Sequence, residues 1–239
     1  MSSLAIQTNG LSKTLGSTQV IQSCDMHVTK HTIYGFLGEN GAGKTTLFKM
    51  LAGILTPTSG TATILGYDVV TQTSEVLKQI GTLIETPVFY EHLSAAENLK
   101  LHLAYMGMEG LTPQTALTMV GLPDTGKRAV SKFSLGMRQR LAIARALSHR
   151  PKLLILDEPI NGLDPAGIRE MRELFSSLVT QHQMTILLSS HILSEIEQVA
   201  DTIGFISKGR LLEETSLADL RERYPAGLEH YFMKKREER

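Results

Sequence analysis

"TIYGFLGENGAGKTTLFKMLAG", residues 32–53, decides the fold. It opens on a short apolar run, "TIYGFLG" (32–38), that reads as a buried strand ending in glycine. It continues as a helix over 44–53, closed by Gly53. Between the two, Gly38-Glu-Asn-Gly-Ala-Gly-Lys44-Thr45 matches the phosphate-loop pattern in full, and it sits where that pattern must sit. The glycines let backbone N–H groups turn inward around phosphate oxygens. The helix start adds partial positive charge, and Lys44 reaches the outer phosphates. Thr45 offers its hydroxyl to Mg²⁺.

The partner of that loop lies in "KLLILDEP" (152–159). Four apolar residues bury a strand and deliver Asp157 to its carboxyl end, beside the phosphate loop. Asp157 can hold Mg²⁺, directly or through water. Glu158 follows on the opposite face and can polarise a water against a γ-phosphate. Paired acids at a strand end can also be plain solvated turn residues, a reading that weakens once a phosphate loop shares the domain. His191 ends another apolar run, "MTILLSS" (184–190), and so stands at the same edge of the sheet. A lone histidine is more often structural. None of the eight histidines forms a metal cluster, and His27 and His31, four apart in strand-like sequence, do not share a face.

Outward from these motifs the chain alternates. "STQVIQSCDMHVT" (17–29), "SGTATILG" (59–66) and "IGTLIE" (80–85) read as strands. Ser94 with Glu97 forms a capping box that starts a helix through "NLKLHLAYM", and helical sequence runs on to about residue 150. Then come a strand at 152–157, a helix over 166–181, the strand 184–190, a helix from about 193 and a strand at 202–207. This is the pattern of an α/β protein with a mainly parallel sheet wrapped by helices. The core is expected over about 1–87 and 151–224, with an inserted helical lobe over about 88–150 and a solvated tail, 225–239, ending "KKREER".

Composition narrows the function. Lys+Arg and Asp+Glu balance at 24 each, so no global field draws the chain to nucleic acid or anionic lipid. One cysteine, Cys24, excludes an internal disulfide framework and is expected as a small residue at a strand edge. The start "MSSLAIQTNG" lacks a signal-peptide pattern, and no stretch reaches the roughly 18 unbroken apolar residues of a membrane span. The expectation is a cytoplasmic chain whose membrane work runs through a separate partner.

A second stretch, "FSLGMRQRLAIARAL" (133–147), raises a question. Ser134 is a good N-cap, Gly136 leaves its backbone open, and Arg138, Arg140 and Arg145 follow on an otherwise apolar helix. This too looks built to hold an anion, in a chain that already has a phosphate loop.

Together these stretches resemble the ATP-binding subunit of an ABC transporter over nearly the whole length of the chain. "GENGAGKTT" is similar to the family's Walker A motif, "LLILDEP" to Walker B, "NGLDP" (161–165) to its D-loop, His191 to its switch histidine and "FSLGMRQR" to its signature. The resemblance implies a P-loop NTPase (RecA-like) core with a small antiparallel β subdomain and the inserted helical lobe. It implies ATP and Mg²⁺ as ligands. Gly38, Glu39, Asn40, Gly41, Ala42, Gly43, Lys44, Thr45 and Thr46 would wrap the phosphates, and Leu15 and Val20 would flank the base. Glu158, His191, Lys44 and Glu85 would carry the reaction, with Thr45, Asp157 and Glu85 at the metal.

It also implies an answer to the second helix start. Two such domains face each other head to tail, so Ser134 and Gly136 would contact the partner's ATP while Asp164 crosses the interface. With one Walker A motif per chain, a homodimer is the economical expectation. Three departures stand out. Leu15, in "LSKTLGS", takes the place of an aromatic that stacks on adenine in a loop of the family. Leu135 and Met137 interrupt the usual Ser-Gly-Gly-Gln. Glu85 replaces the glutamine of the loop that faces metal and membrane partner.

"IGTLIETPVFYEHLSAAENL" (80–99), which carries Glu85, together with "FSLGMRQRLAIA" (133–144) resembles the subgroup that protects bacteria against lantibiotics or bacitracin. In that subgroup the ATPase, at the inner face of the membrane, drives a separate permease that clears antimicrobial peptide from it. Alternative readings are an exporter ATPase for another drug or lipid and a scaffold-bound ATPase of the iron–sulfur assembly type. A DNA-repair ATPase is disfavoured because only about fifty residues separate Glu85 from Ser134, too few for that type's long coiled coil.

Overall fold

The computed structural model describes residues 3–122 and 125–224; the tail expected over 225–239 lies outside the described residues. Two sheets organise the chain. The first is antiparallel, with β2 (Thr18–Cys24), β1 (Leu4–Leu15), β5 (Ser59–Ile64) and β6 (Tyr67–Asp68) side by side and β3 (His27–Thr29) also paired to β1. The second has six strands in the order β11 (Arg210–Ser216), β10 (Thr202–Ser207), β4 (Ile33–Leu37), β9 (Thr185–Ser190), β8 (Leu153–Leu156), β7 (Ile80–Leu83). All its pairings are parallel except that of β10 with β11.

The helices are α1 (Lys44–Leu51), α2 (Thr73–Gln79), α3 (Ala95–Met106), α4 (Pro113–Met119), α5 (Leu135–Leu147), α6 (Pro165–Thr180), α7 (Leu193–Ile196) and α8 (Leu217–Arg223). Among the described residues no helix is long and apolar enough to cross a membrane. The capping box forms as expected: Ser94 Oγ accepts from the Glu97 backbone, and the Glu97 carboxylate accepts from Ser94 N at 2.8 Å. Strands β4, β8 and β9 are buried at every residue, as befits strands covered on both faces.

Three elements differ from the sequence expectation. Residues 11–15 of "LSKTLGS" are not a loop but the end of a twelve-residue strand, with Gly16 and Ser17 as the turn, because β1 pairs with β2 as far as Leu15 and with β5 as far as Ser12. The buried Thr8 hydroxyl helps hold that strand by donating to Cys24 O and accepting from Met26 N, each at 2.8 Å. The helix from 193 is a single turn, and the chain after β10 returns as β11. Cys24 ends edge strand β2, fully buried, and burial pushes its thiol up to about 12.

Helices α3 to α5 lie between β7 and β8 in the chain, and α5 ties them to the sheet. It runs so close to β7 that a Cβ at Gly81 would stand 2.2 Å from Ala146 O. A side chain there would push α5 off the strand.

Candidate functional site

Strand β4 delivers the chain to the phosphate loop and α1 carries it away. Gly43 caps α1 in a left-handed conformation (φ 108°) and supplies no side-chain cap, so the first N–H groups of α1 face the loop. A Cβ at Gly43 would lie 2.6 Å from Ile21 Cδ1 and 3.1 Å from Val20 O, so glycine is required both by conformation and by space. Glu39, Asn40 and Gly41 are exposed at the rim, whereas Ala42 and Lys44 are buried. Thr46 is half-buried in the first turn of α1.

Lys44 is 6% exposed, which makes its contacts decisive. Its Nζ donates to Gly38 O at 2.7 Å and to Glu39 O at 3.2 Å, and lies 3.2 Å from Glu158 Oε1. That carboxylate oxygen is buried and takes no aligned hydrogen bond, so the ion pair is its compensation. The other oxygen, Oε2, lies 2.9 Å from His191 Nδ1. Glu158 therefore stands between an ammonium and an imidazole.

Parallel pairing of β8 with β9 sets Leu156 beside Leu188, so the next residues, Asp157 and Ser189, meet. Asp157 Oδ2 accepts from Thr45 Oγ1 at 2.6 Å, and Oδ1 accepts from Ser189 Oγ at 2.6 Å. Ser189 Oγ in turn accepts from Glu158 N at 2.9 Å. This serine, fully buried, joins both acids and was not singled out from sequence. Its signal was present: a hydroxyl pair, "SS", closing the strand that neighbours "LLILDE".

Glu85 lies just beyond β7 with a left-handed backbone (φ 62°) and is 63% exposed. It pairs with Lys49, one turn beyond Thr45 on α1. Glu85, Thr45, Asp157 and Glu158 line one cleft of about 500 Å³, together with Arg138 and Gln139 of α5. The site thus brings together Lys44, Thr45, Asp157, Glu158, His191 and Glu85. Among the described residues no three His, Cys, Asp or Glu side chains form a metal cage.

Ser134, Gly136 and Asp164 go elsewhere. Ser134 caps α5 by accepting from Met137 N at 3.3 Å, and Asp164 caps α6 by accepting from Gly167 N at 2.9 Å. The two helix starts line a separate cleft of about 450 Å³. A Cβ at Gly136 would meet only Leu163 within 4 Å, at 3.7 Å, so the backbone there is open to a visitor. Leu135 is 53% exposed at this rim, whereas Met137 is half-buried against the core. Leu15 is 46% exposed at the end of β1, and Val20, across the β1–β2 hairpin, brings its carbonyl against the phosphate loop.

The family model for the ABC transporter matches residues 21–161. A bacitracin transport ATP-binding protein of Bacillus licheniformis is 49% identical over 222 residues, covering 92% of this chain and 72% of that protein. A lantibiotic transport ATP-binding protein of Streptococcus pyogenes is 44% identical over 209 residues, covering 87% of this chain and 90% of that one. Among solved structures, the ATP-binding subunit of an ABC transporter superposes with a TM-score of 0.82 at 29% identity, over 96% of this chain and 98% of that one.

Proposed function

The chain belongs to the ABC transporter family as an ATP-hydrolysing, ATP-binding subunit, and from that premise we propose that it powers a separate membrane permease that clears bacitracin- or lantibiotic-type peptide from the cell membrane. It does so as a homodimer at the inner membrane face, with two ATP molecules sandwiched between protomers. The observation that carries the ATPase part is the convergence of Lys44, Thr45, Asp157, Glu158 and His191 on one strand-edge cleft. The relatives named for bacitracin and lantibiotic transport, both above 40% identity, support the peptide part.

In this reading Lys44 turns from the loop carbonyls to the outer phosphates of ATP. Thr45 and Asp157 suit Mg²⁺, because hard oxygens 2.6 Å apart, with phosphate oxygens to complete the shell, match its chemistry. When bound, Mg²⁺ neutralises phosphate charge. Glu158 takes a proton from the attacking water, and His191 orients the Glu158 carboxylate. Ser134 and Gly136 close the partner's site, and Asp164 reaches across the interface. Glu85 holds the place near metal and permease, with Lys49 offsetting its charge.

The test is co-expression with the membrane permease of a bacitracin or lantibiotic transport system, followed by survival on bacitracin and on a lantibiotic. Protection is expected with the parent chain and not with Glu158→Gln, which should also lower turnover by roughly 10²–10⁴-fold. Loss of protection against both peptides with an active parent ATPase would assign the permease another cargo.

A further inference from the structure

Glu158 has a left-handed backbone (φ 49°), an unusual conformation for a residue with a side chain. Something must hold the turn. On its amino side the Glu158 N–H donates to Ser189 Oγ at 2.9 Å. On its carboxyl side stands Pro159, buried and without an N–H of its own to anchor the chain. The Pro159 carbonyl accepts from Gln139 Nε2 at 2.6 Å. A carbonyl only accepts, so the amide nitrogen of Gln139 must face it. Within the turn itself the support is weaker, a 3.2 Å contact from Asn161 N to Glu158 O.

Gln139 reaches this turn from α5, between two arginines that go elsewhere. Arg138 makes a bidentate pair with Glu91 (2.6 Å twice), and Arg140 bonds Val120 O and Glu170. The helix is thus fixed on both sides of Gln139, which gives the amide a rigid base. We propose that Gln139 is a positioning residue for ATP hydrolysis. It pins the Glu158–Pro159 turn to α5 and so fixes the Glu158 carboxylate in the cleft that Thr45 and Asp157 share. Glutamine suits the task because a neutral donor reaches the carbonyl without adding charge to a cleft that already holds Glu85, Asp157 and Glu158. A glutamate there would lose the donor and add a fourth negative charge.

The proposal rests on the reading of Glu158 as the base, and the experiment separates the two. Gln139→Leu keeps the volume and removes the donor. It should lower kcat roughly tenfold, the scale of a small misplacement of a reacting group, while the ATP dissociation constant stays within twofold. Gln139→Glu should be slower still. In a Glu158→Gln background, Gln139→Leu should add no further loss to the single-turnover rate, because the group it positions is already gone. If Gln139→Leu unfolds, Gln139→Met, with the unbranched stem retained, takes its place. The proposal fails if kcat stays within twofold of the parent, if ATP affinity falls in step with kcat, or if the two substitutions multiply. High activity in Glu158→Gln alone would instead overturn the base assignment.

Discussion

Helices α1 and α5 begin alike, each with small residues and an open first turn, yet their surroundings are opposite. The start of α1 is enclosed by its own sheet. Lys44 beside it is 6% exposed and engages Gly38 O, Glu39 O and Glu158. The start of α5 faces outward. Ser134 caps its own helix, Gly136 has open space, and Leu135 beside it is 53% exposed. An anion site ringed by catalytic groups of its own chain is a place for chemistry. One that looks outward, with its own Asp164 taken up in capping α6 and its Glu170 paired to Arg140, is half of a site. The contrast supports the proposal that each protomer lends its α5 to the other's nucleotide.

The sharpest way to break that contrast is to damage each start separately. Lys44→Ala removes the buried cation, so equilibrium ATP binding by the monomer should fall by tenfold or more, on the scale of a lost charge-assisted contact of about 1.5–3 kcal/mol. Ser134→Arg should leave monomer binding within about twofold while turnover drops roughly a hundredfold or more, as when a transition-state donor is lost. Mixing the two variants should restore at most one intact composite site per heterodimer. Equal loss of monomer binding in both would mean that Ser134 and Lys44 serve the same ATP.

Most of this was legible in the sequence where local pattern alone determines local structure. The phosphate loop, the strand ahead of Asp157 and the cap at Ser134 each announce themselves within about ten residues. What stayed hidden depends on neighbours brought by the fold. Ser189 matters only because β8 and β9 lie in parallel register. The bond from Gln139 to Pro159 O spans twenty residues and exists because α5 packs beside β7 and reaches the end of β8. Leu15 belongs to a strand rather than a loop because it pairs with Thr18 of β2, and no periodicity within "LSKTLGS" reveals that partner.

A middle-sized effect is expected at the Lys49–Glu85 pair, which joins α1 to the loop after β7. The pair is exposed enough that its loss should cost under about 1 kcal/mol of stability. Its value is local charge control. With Lys49→Ala, the Glu85 carboxylate stands uncompensated in the cleft that also holds Asp157 and Glu158. The Mg²⁺ concentration for half-maximal ATPase activity should then shift severalfold, whereas Glu85→Gln should retain much of the activity and make Lys49 dispensable. A Mg²⁺ dependence unchanged in Lys49→Ala, in Glu85→Gln and in the double variant would reduce the pair to surface decoration.

The smallest expected effect concerns the edge of the enclosed site. Leu15 ends β1 at 46% exposure, and an aromatic suits a strand position. If the base of ATP lies beside it, Leu15→Tyr adds a flat face on which the purine can stack. Stacking of this kind is worth about 1–3 kcal/mol when fully formed, and less at an exposed edge. The ATP dissociation constant should therefore fall roughly two- to tenfold with kcat nearly unchanged, since the contact is the same before and during reaction. Because every base presents a π-face, GTP should tighten by a similar factor, which separates stacking from hydrogen-bond readout. The gain should persist in a Ser134→Arg background, because Leu15 and Val20 sit on the hairpin beside the phosphate loop of their own chain. No gain for either nucleotide would place the base away from Leu15, and a gain that vanishes with Ser134→Arg would show that the hairpin meets the nucleotide only in the dimer.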